Sequence, residues 1–357
     1  MHEPMTTHGR FAQIYQHREA DRVPIVDWLW PTTLERWHHE GLPTDVPFQE
    51  FFGIDHVAEI RVDNSPRFPQ RVIEETDDYV VHTSEFGVTM KDWKSSTSTP
   101  QFLDHTIKDA DSWRSAKGRM LPSRDRIDWK NLSDNYAGWR TRGSWIEAVL
   151  WFGFDISHAW VSGTERVLIA LIEDPEWVMD MISTMLDLNL ALLDMVWDEG
   201  YRYDSVIWFD DMGYKGHQFF SMAMYREFLK PFHQRAIDWA HAKGIKAHLH
   251  SCGNVSPFVA ELVEMGLDTL NPLEVKAGMD PIQIKQEFGT QLVLHGGMNA
   301  VFFDQPEKIE AEIQSKLPIL KKDGGYIFSS DHTVPDSVSL EGYRQIVGWA
   351  KRYGAYG

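Results

Sequence analysis

One cysteine in 357 residues leaves this chain without the means to form an internal disulfide, so nothing in it calls for an oxidising compartment. No apolar run approaches the roughly 20 residues needed to span a bilayer. The opening MHEPMTTHGRFAQIYQHREADRVP lacks the charged-then-apolar layout of a secretory signal. Together these absences predict a cytoplasmic protein with no membrane partner. A basic surface is missing as well: the formal net charge is −18, which argues against nucleic acid as a partner. Internal repeats, low-complexity runs and Gly/Ser-rich linkers are absent, and so is a GxGxxG after the first expected strand. That last absence removes the main support for a dinucleotide fold.

What is present suits an ordinary globular core, with 43% hydrophobic and 25% charged residues. Aromatics are abundant, at 15 Trp, 19 Phe and 11 Tyr. Most belong to packing, but DWLWPTTLERW and SWIEAVLWFGF also suit an aromatic-walled small-molecule pocket. In the second half, short apolar runs alternate with amphipathic segments. SVIWFDD (Ser205 to Asp211), IKAHLH (Ile245 to His250), LDTLNPLE (Leu267 to Glu274), QLVLHGG (Gln291 to Gly297) and GYIFSS (Gly325 to Ser330) read as buried parallel strands. RVPIVDW (Arg22 to Trp28) and HVAEIRV (His56 to Val62) read as the first two. Asp174-Pro175, Ser256-Pro257 and Asp280-Pro281 each pair a capping side chain with a proline suited to a helix start. The first of these opens a helix to about Glu199 that buries Val178, Met181, Ile182, Met185 and Leu186.

Alternation of this kind, with roughly eight strands, predicts an α/β fold: a single-domain (β/α)8 barrel over residues 1–357. Residues 64–135 interrupt it. DDYVVHTSEFGVTMKDW alternates like a hairpin, and TSTPQFLDHTIKDADSWRSAK is polar and reads as loop, so the region is expected to be an insertion that shapes the pocket.

In a parallel barrel reactive groups gather at the carboxyl ends of the strands. Those ends carry Asp27, Asp210 and Asp211, His250 and Cys252, Glu274, His295, and Asp331 with His332. Polar residues also begin wherever a buried strand reaches water, yet His and Cys are unusual choices for solvation alone. His250 and Cys252 are two apart, so in extended backbone both side chains face one way and could reach a single metal ion. The competing reading makes Cys252 a small core hydrophobe. His248 is expected to be a satisfied interior histidine, and His38-His39-Glu40 a solvated helix face.

HLHSCGN, NPLE and HGGMN in that order, with FFSMAMYREFLKPFHQRAIDWAHAKGIK and GGYIFSSDHTVPDSVSLEGY, resemble the carboxyl-terminal half of the uroporphyrinogen decarboxylase superfamily. The likeness covers roughly Gly153 to Tyr353 and implies a (β/α)8 barrel. Where the heme-pathway enzyme places the arginines that bind its substrate's carboxylates, VPIVDWLWPTTLERW has an acid and tryptophans, so a multiply anionic tetrapyrrole would find little to pair with. The His-x-Cys strand end is closer to the zinc methyltransferases of the superfamily, whose third ligand is a second cysteine. Here His332 stands at about the matching place.

The resemblance therefore implies a zinc site of His250, Cys252 and His332. It implies demethylation of a small methoxylated or methylated compound toward a thiol, or toward a corrinoid carried on a partner protein. Asp210, Asp211 and Glu274 are then acid/base groups or additional ligands, and Tyr214 is a candidate for proton transfer. The alternative is a decarboxylase or lyase acting on a small carboxylate. A homodimer is compatible with the resemblance.

Overall fold

The computed structural model describes residues 4–95 and 98–356. Residues 1–3, 96–97 and 357, which fall within the expected domain and its insertion, lie outside the described residues. In chain order the strands are β1 (Val57–Ile60), β2 (Arg71–Glu75), β3 (Tyr79–Thr83), β4 (Val88–Trp93), β5 (Gln101–His105), β6 (Trp145–Leu150) and β7 (Ser205–Phe209). They continue with β8 (Gly213–Tyr214), β9 (His217–Gln218), β10 (Lys246–His250), β11 (Thr269–Asn271), β12 (Val293–His295) and β13 (Tyr326–Ile327). Seven of them form one curled parallel sheet in the order β1-β6-β7-β10-β11-β12-β13. Their burial explains their composition: both faces are covered, so β6 is buried at every position and β7 at all but its last.

The first expected strand is not a regular one. Arg22 to Trp28 runs extended along the sheet edge. Ile25 forms a parallel bridge with Phe328, and Val26 and Phe328 exchange backbone bonds with Phe328 and Pro24. On its other side the Asp55 N–H donates to the Ile25 carbonyl at 3.0 Å. Pro24 has no N–H to give, which breaks any continuous ladder here.

Residues 71–105 form a separate antiparallel sheet, β2-β3-β4-β5. The expected hairpin is β3–β4, with Tyr79 opposite Trp93. The polar stretch after it is more ordered than its composition suggested: it holds β5 and a helix, Ala110–Lys117, opened by an Asp109/Ser112 capping box. A further helix, Trp129–Thr141, crosses residue 135.

The long helix is Pro175–Asp198, with the five expected apolar residues buried. Its cap differs from expectation. Asp174 sits at φ −147°, ψ 61° and makes no side-chain capping bond, because that backbone does not aim its oxygen at the first turn. Ser256 is not a cap either; it is the first residue of a short 3-10 turn, and its N–H is taken by Asn254 Oδ1. Asp280 caps as expected, accepting from the Ile282 and Gln283 amides. Among the described residues no helix is long and apolar enough to cross a membrane.

Candidate active site

β10 delivers His250 as its last residue, and the chain then turns at Gly253. This glycine has φ +81°, and a Cβ there would lie 2.2 Å from the Gly213 carbonyl carbon and 2.4 Å from the Tyr214 nitrogen. No other residue leaves room for the β8–β9 hairpin. The turn is tied down by two carboxylates: Asp211 Oδ1 accepts from the Cys252 amide at 2.7 Å, and Glu274 Oε2 accepts from the Gly253 amide at 2.6 Å. Cys252 Sγ consequently lies 3.3 Å from His250 Nε2, the same-side placement expected of residues two apart. Asp211 Oδ1 is 3.9 Å from that nitrogen. Among the described residues, Asp211, His250 and Cys252 are the one group of three His, Cys or acidic side chains whose ligand atoms all lie within 4.8 Å of one another.

His332 stands outside this group. It lines the same cavity as His250, a space of about 370 Å³ walled by Trp28, Trp30, Phe209 and Pro272, and its ring leans on Trp30 with centroids 6.1 Å apart. Burial and nearby Lys276 pull its pKa below the usual histidine value.

The protonation of His250 can be read from a residue that the motif analysis passed over. Asn271, on β11 directly opposite His250, donates its side-chain N–H to the His295 carbonyl at 3.1 Å. Its amide oxygen therefore faces His250 Nδ1, 2.5 Å away, and accepts from an Nδ1–H. That leaves a lone pair on Nε2, directed toward Cys252 and Asp211. The cross-strand register makes this pairing, and register is not visible in a single strand's sequence. Burial also lowers the His250 pKa, opposed by Asp211 and by Asn271.

The remaining acids divide into two kinds. Asp210 is fully buried, with one oxygen taken by His233 Nε2 at 2.8 Å and the other by the Asp155 amide at 2.8 Å. Asp27 accepts from Ser329, Ser330 and Tyr343, and Asp331 from the Val275, Lys276 and Ala300 amides. These three hold loops together. Glu274 reaches the site from the loop after β11, since the strand stops at Asn271 before Pro272. Asp155 was not anticipated. Burial, with the negative Asp211 and Asp210 beside it, pushes its carboxyl well above the ordinary value, and burial also raises Asp211. The Cys252 thiol is pushed well above its ordinary value by burial and then by Asp211 and Glu274. Burial and the mutual repulsion of these groups thus favour the protonated forms of Asp155, Asp211 and Cys252.

Tyr214 is half exposed, at 47%, and its ring packs on His217 and Phe219. Only its backbone closes on the site, through the contact with Gly253.

The profile of the family described as Uroporphyrinogen decarboxylase (URO-D) matches residues 158–353. A uroporphyrinogen decarboxylase of Vesicomyosocius okutanii is 35% identical over 66 residues, which is 18% of this chain and 19% of that protein's length. Among solved structures, a methyltransferase from Methanosarcina mazei superposes with a TM-score of 0.68 at 16% identity, covering 98% of this chain and 100% of that one. A B12-independent methionine synthase from a Shewanella species gives 0.46 at 10% identity, over 94% and 93% of the two chains.

Proposed function

Because this chain belongs to the uroporphyrinogen decarboxylase family, we propose that its curled sheet is the (β/α)8 barrel of that family and that the donor group at its carboxyl edge serves metal-dependent methyl transfer. Closure is supported by the Arg22–Trp28 segment, which bonds to Phe328 on one side and Asp55 on the other. The antiparallel sheet within residues 64–135 reads as the insertion, but none of its residues lines the cavity that His250 and His332 share.

One observation carries the functional reading: Asp211, His250 and Cys252 converge while Asn271 holds the His250 tautomer that presents a free Nε2. Sulfur, imidazole nitrogen and carboxylate oxygen together fit zinc. Those three residues would hold the ion, with His332 facing the same cavity. Once bound, zinc would supply a Lewis acid that lowers the pKa of a thiol, alcohol or water.

The chain's own residues do the rest. Asn271 orients His250. Glu274 and Asp211 fix the turn that carries Cys252. Asp155, whose carboxyl is biased toward its protonated form by burial and by Asp211 and Asp210 beside it, is the candidate proton source for the heteroatom from which a methyl group departs. Trp28, Trp30 and Phe209 wall a cavity sized for a small methoxylated or methylated compound. The structural likeness to a methyltransferase supports this reaction class, with a thiol or a corrinoid on a partner protein as acceptor.

The same Asp155 proton favours a second reading, decarboxylation of a small carboxylate, in which that proton replaces carbon dioxide. The first test is the zinc content of the purified protein beside Cys252→Ala and His250→Ala variants, followed by a methyl-donor screen with carbon dioxide release monitored. About one zinc per chain, lost in both variants, and methyl transfer that depends on it support the proposal. Full turnover in both metal-free variants refutes it.

A further inference from the structure

Below the donor group, inside the curl of the sheet, lies a larger cavity of about 570 Å³. Its polar end is built from Glu147 on β6, His248 on β10 and His295 on β12, which are 5%, 3% and 3% exposed. Glu147 Oε2 accepts from Ser205 Oγ at 2.6 Å and from His248 Nδ1 at 3.2 Å. That bond spends the His248 Nδ1–H and leaves its Nε2, which has no partner. His248 is thus only half satisfied, contrary to what its sequence position suggested. His295 has none at either ring nitrogen: the Val26 carbonyl attracts its ring without a bond of proper geometry. Buried imidazole nitrogens left bare in this way are costly unless something in the cavity meets them.

The chemistry of the walls says what that would be. Four carboxylates line the space, and no lysine or arginine does among the described residues. Three of the four are already engaged: Asp27 by Ser329, Ser330 and Tyr343, Asp55 by Arg10 and Arg22, and Glu59 by Arg61. Asp27 and Glu147 have no fixed cation among the described residues, but hydroxyls occupy both oxygens of Asp27, whereas the bonds to Glu147 all fall on Oε2. Tyr15, Trp28 and Phe11 supply aromatic walls, and Trp28 lies against both His295 and His250, with ring centroids at 5.3 and 6.4 Å. A metal ion is a poor fit, because these donors do not converge within 4.8 Å as those of Asp211, His250 and Cys252 do. We propose that this cavity is a second ligand site, for a small organic ammonium ion with a flat or apolar body. Its N–H groups would donate to Glu147 and to one of the bare nitrogens of His248 and His295, since the three residues do not converge closely enough for one ammonium nitrogen to reach all of them, and its body would lie among the aromatic rings. The proposal does not depend on methyl transfer.

Isothermal titration of the full-length protein with three molecules of one shape tests it: phenethylammonium, phenethyl alcohol and hydrocinnamate. The cation should bind at least about tenfold more tightly than the alcohol, and the anion least of all. Glu147→Gln should weaken the cation about tenfold and leave the alcohol unchanged. Cys252→Ser should leave the cation within about twofold, since binding by a metal at the upper site would be lost in that variant. Should Glu147→Gln fail to fold, the ranking on the parent protein and on His295→Leu decides. Equal binding of alcohol and cation, preference for the anion, no binding by any of the three, or loss of binding in Cys252→Ser overturns the proposal.

Discussion

Asn271→Leu is the perturbation that most directly probes the candidate site without touching a proposed ligand. Asn271 is fully buried and makes two bonds, one from His250 Nδ1 and one to the His295 carbonyl. Leucine removes both, leaving a donor and an acceptor unpaired at about 1–3 kcal/mol each. We expect a stability loss of about 2–4 kcal/mol in urea unfolding. Freed of its partner, His250 can place its proton on either nitrogen, and the Nε2 lone pair is no longer guaranteed. Loss of such an orienting partner typically costs a metal site about 10–100-fold in affinity, or about 1.4–2.7 kcal/mol.

Asn271→Asp separates the two effects. It keeps an acceptor for His250 Nδ1 but loses the donor to His295, so it should be less stable than the parent yet hold zinc far better than Asn271→Leu. Zinc affinity is read by competition with a chromogenic chelator. Unchanged affinity in Asn271→Leu, or equal loss in both variants, would refute the tautomer argument.

Three further outcomes are expected. His158 is buried against Phe154 and Phe219, and burial lowers its pKa from 6.5 to about 4. The unfolded chain takes up this proton below pH 6.5 while the fold refuses it. Stability from this residue is therefore full above about pH 6.5 and falls by about 3 kcal/mol as pH drops toward 4; unfolding of His158→Gln followed from about pH 7 to about pH 4 should show a shallower loss than the parent. Gly253→Ala must strain a φ of +81° and displace the β8–β9 hairpin, so it should cost at least about 2 kcal/mol and lower zinc content with it. Asp210→Asn should lower the unfolding midpoint, since it disturbs bonds to His233 and Asp155, whereas Asp211→Asn should lower zinc affinity with a smaller effect on stability; equal effects of the two would contradict the division of their roles.

Much of this was legible in the sequence because it depends on local periodicity. Runs such as SVIWF and KAHLH read as buried strands and are strands of the sheet, and the apolar spacing after Pro175 reads as a helix and is one. The two-residue spacing of His250 and Cys252 placed both on one side of an extended strand, and they do meet. What tertiary structure alone decided is the company these residues keep. The β10–β11 register put Asn271 opposite His250 and so chose its tautomer. Gly253 brought the hairpin against the turn and left Asp211, not His332, within reach of the sulfur. Asp210 and Asp211 are adjacent and chemically identical, yet consecutive residues leaving a strand point to opposite sides. One is consumed in holding a loop, and the other faces the donors. The bare nitrogens of His248 and His295 likewise depend on which strands curl to face each other, a long-range fact that no window of sequence contains.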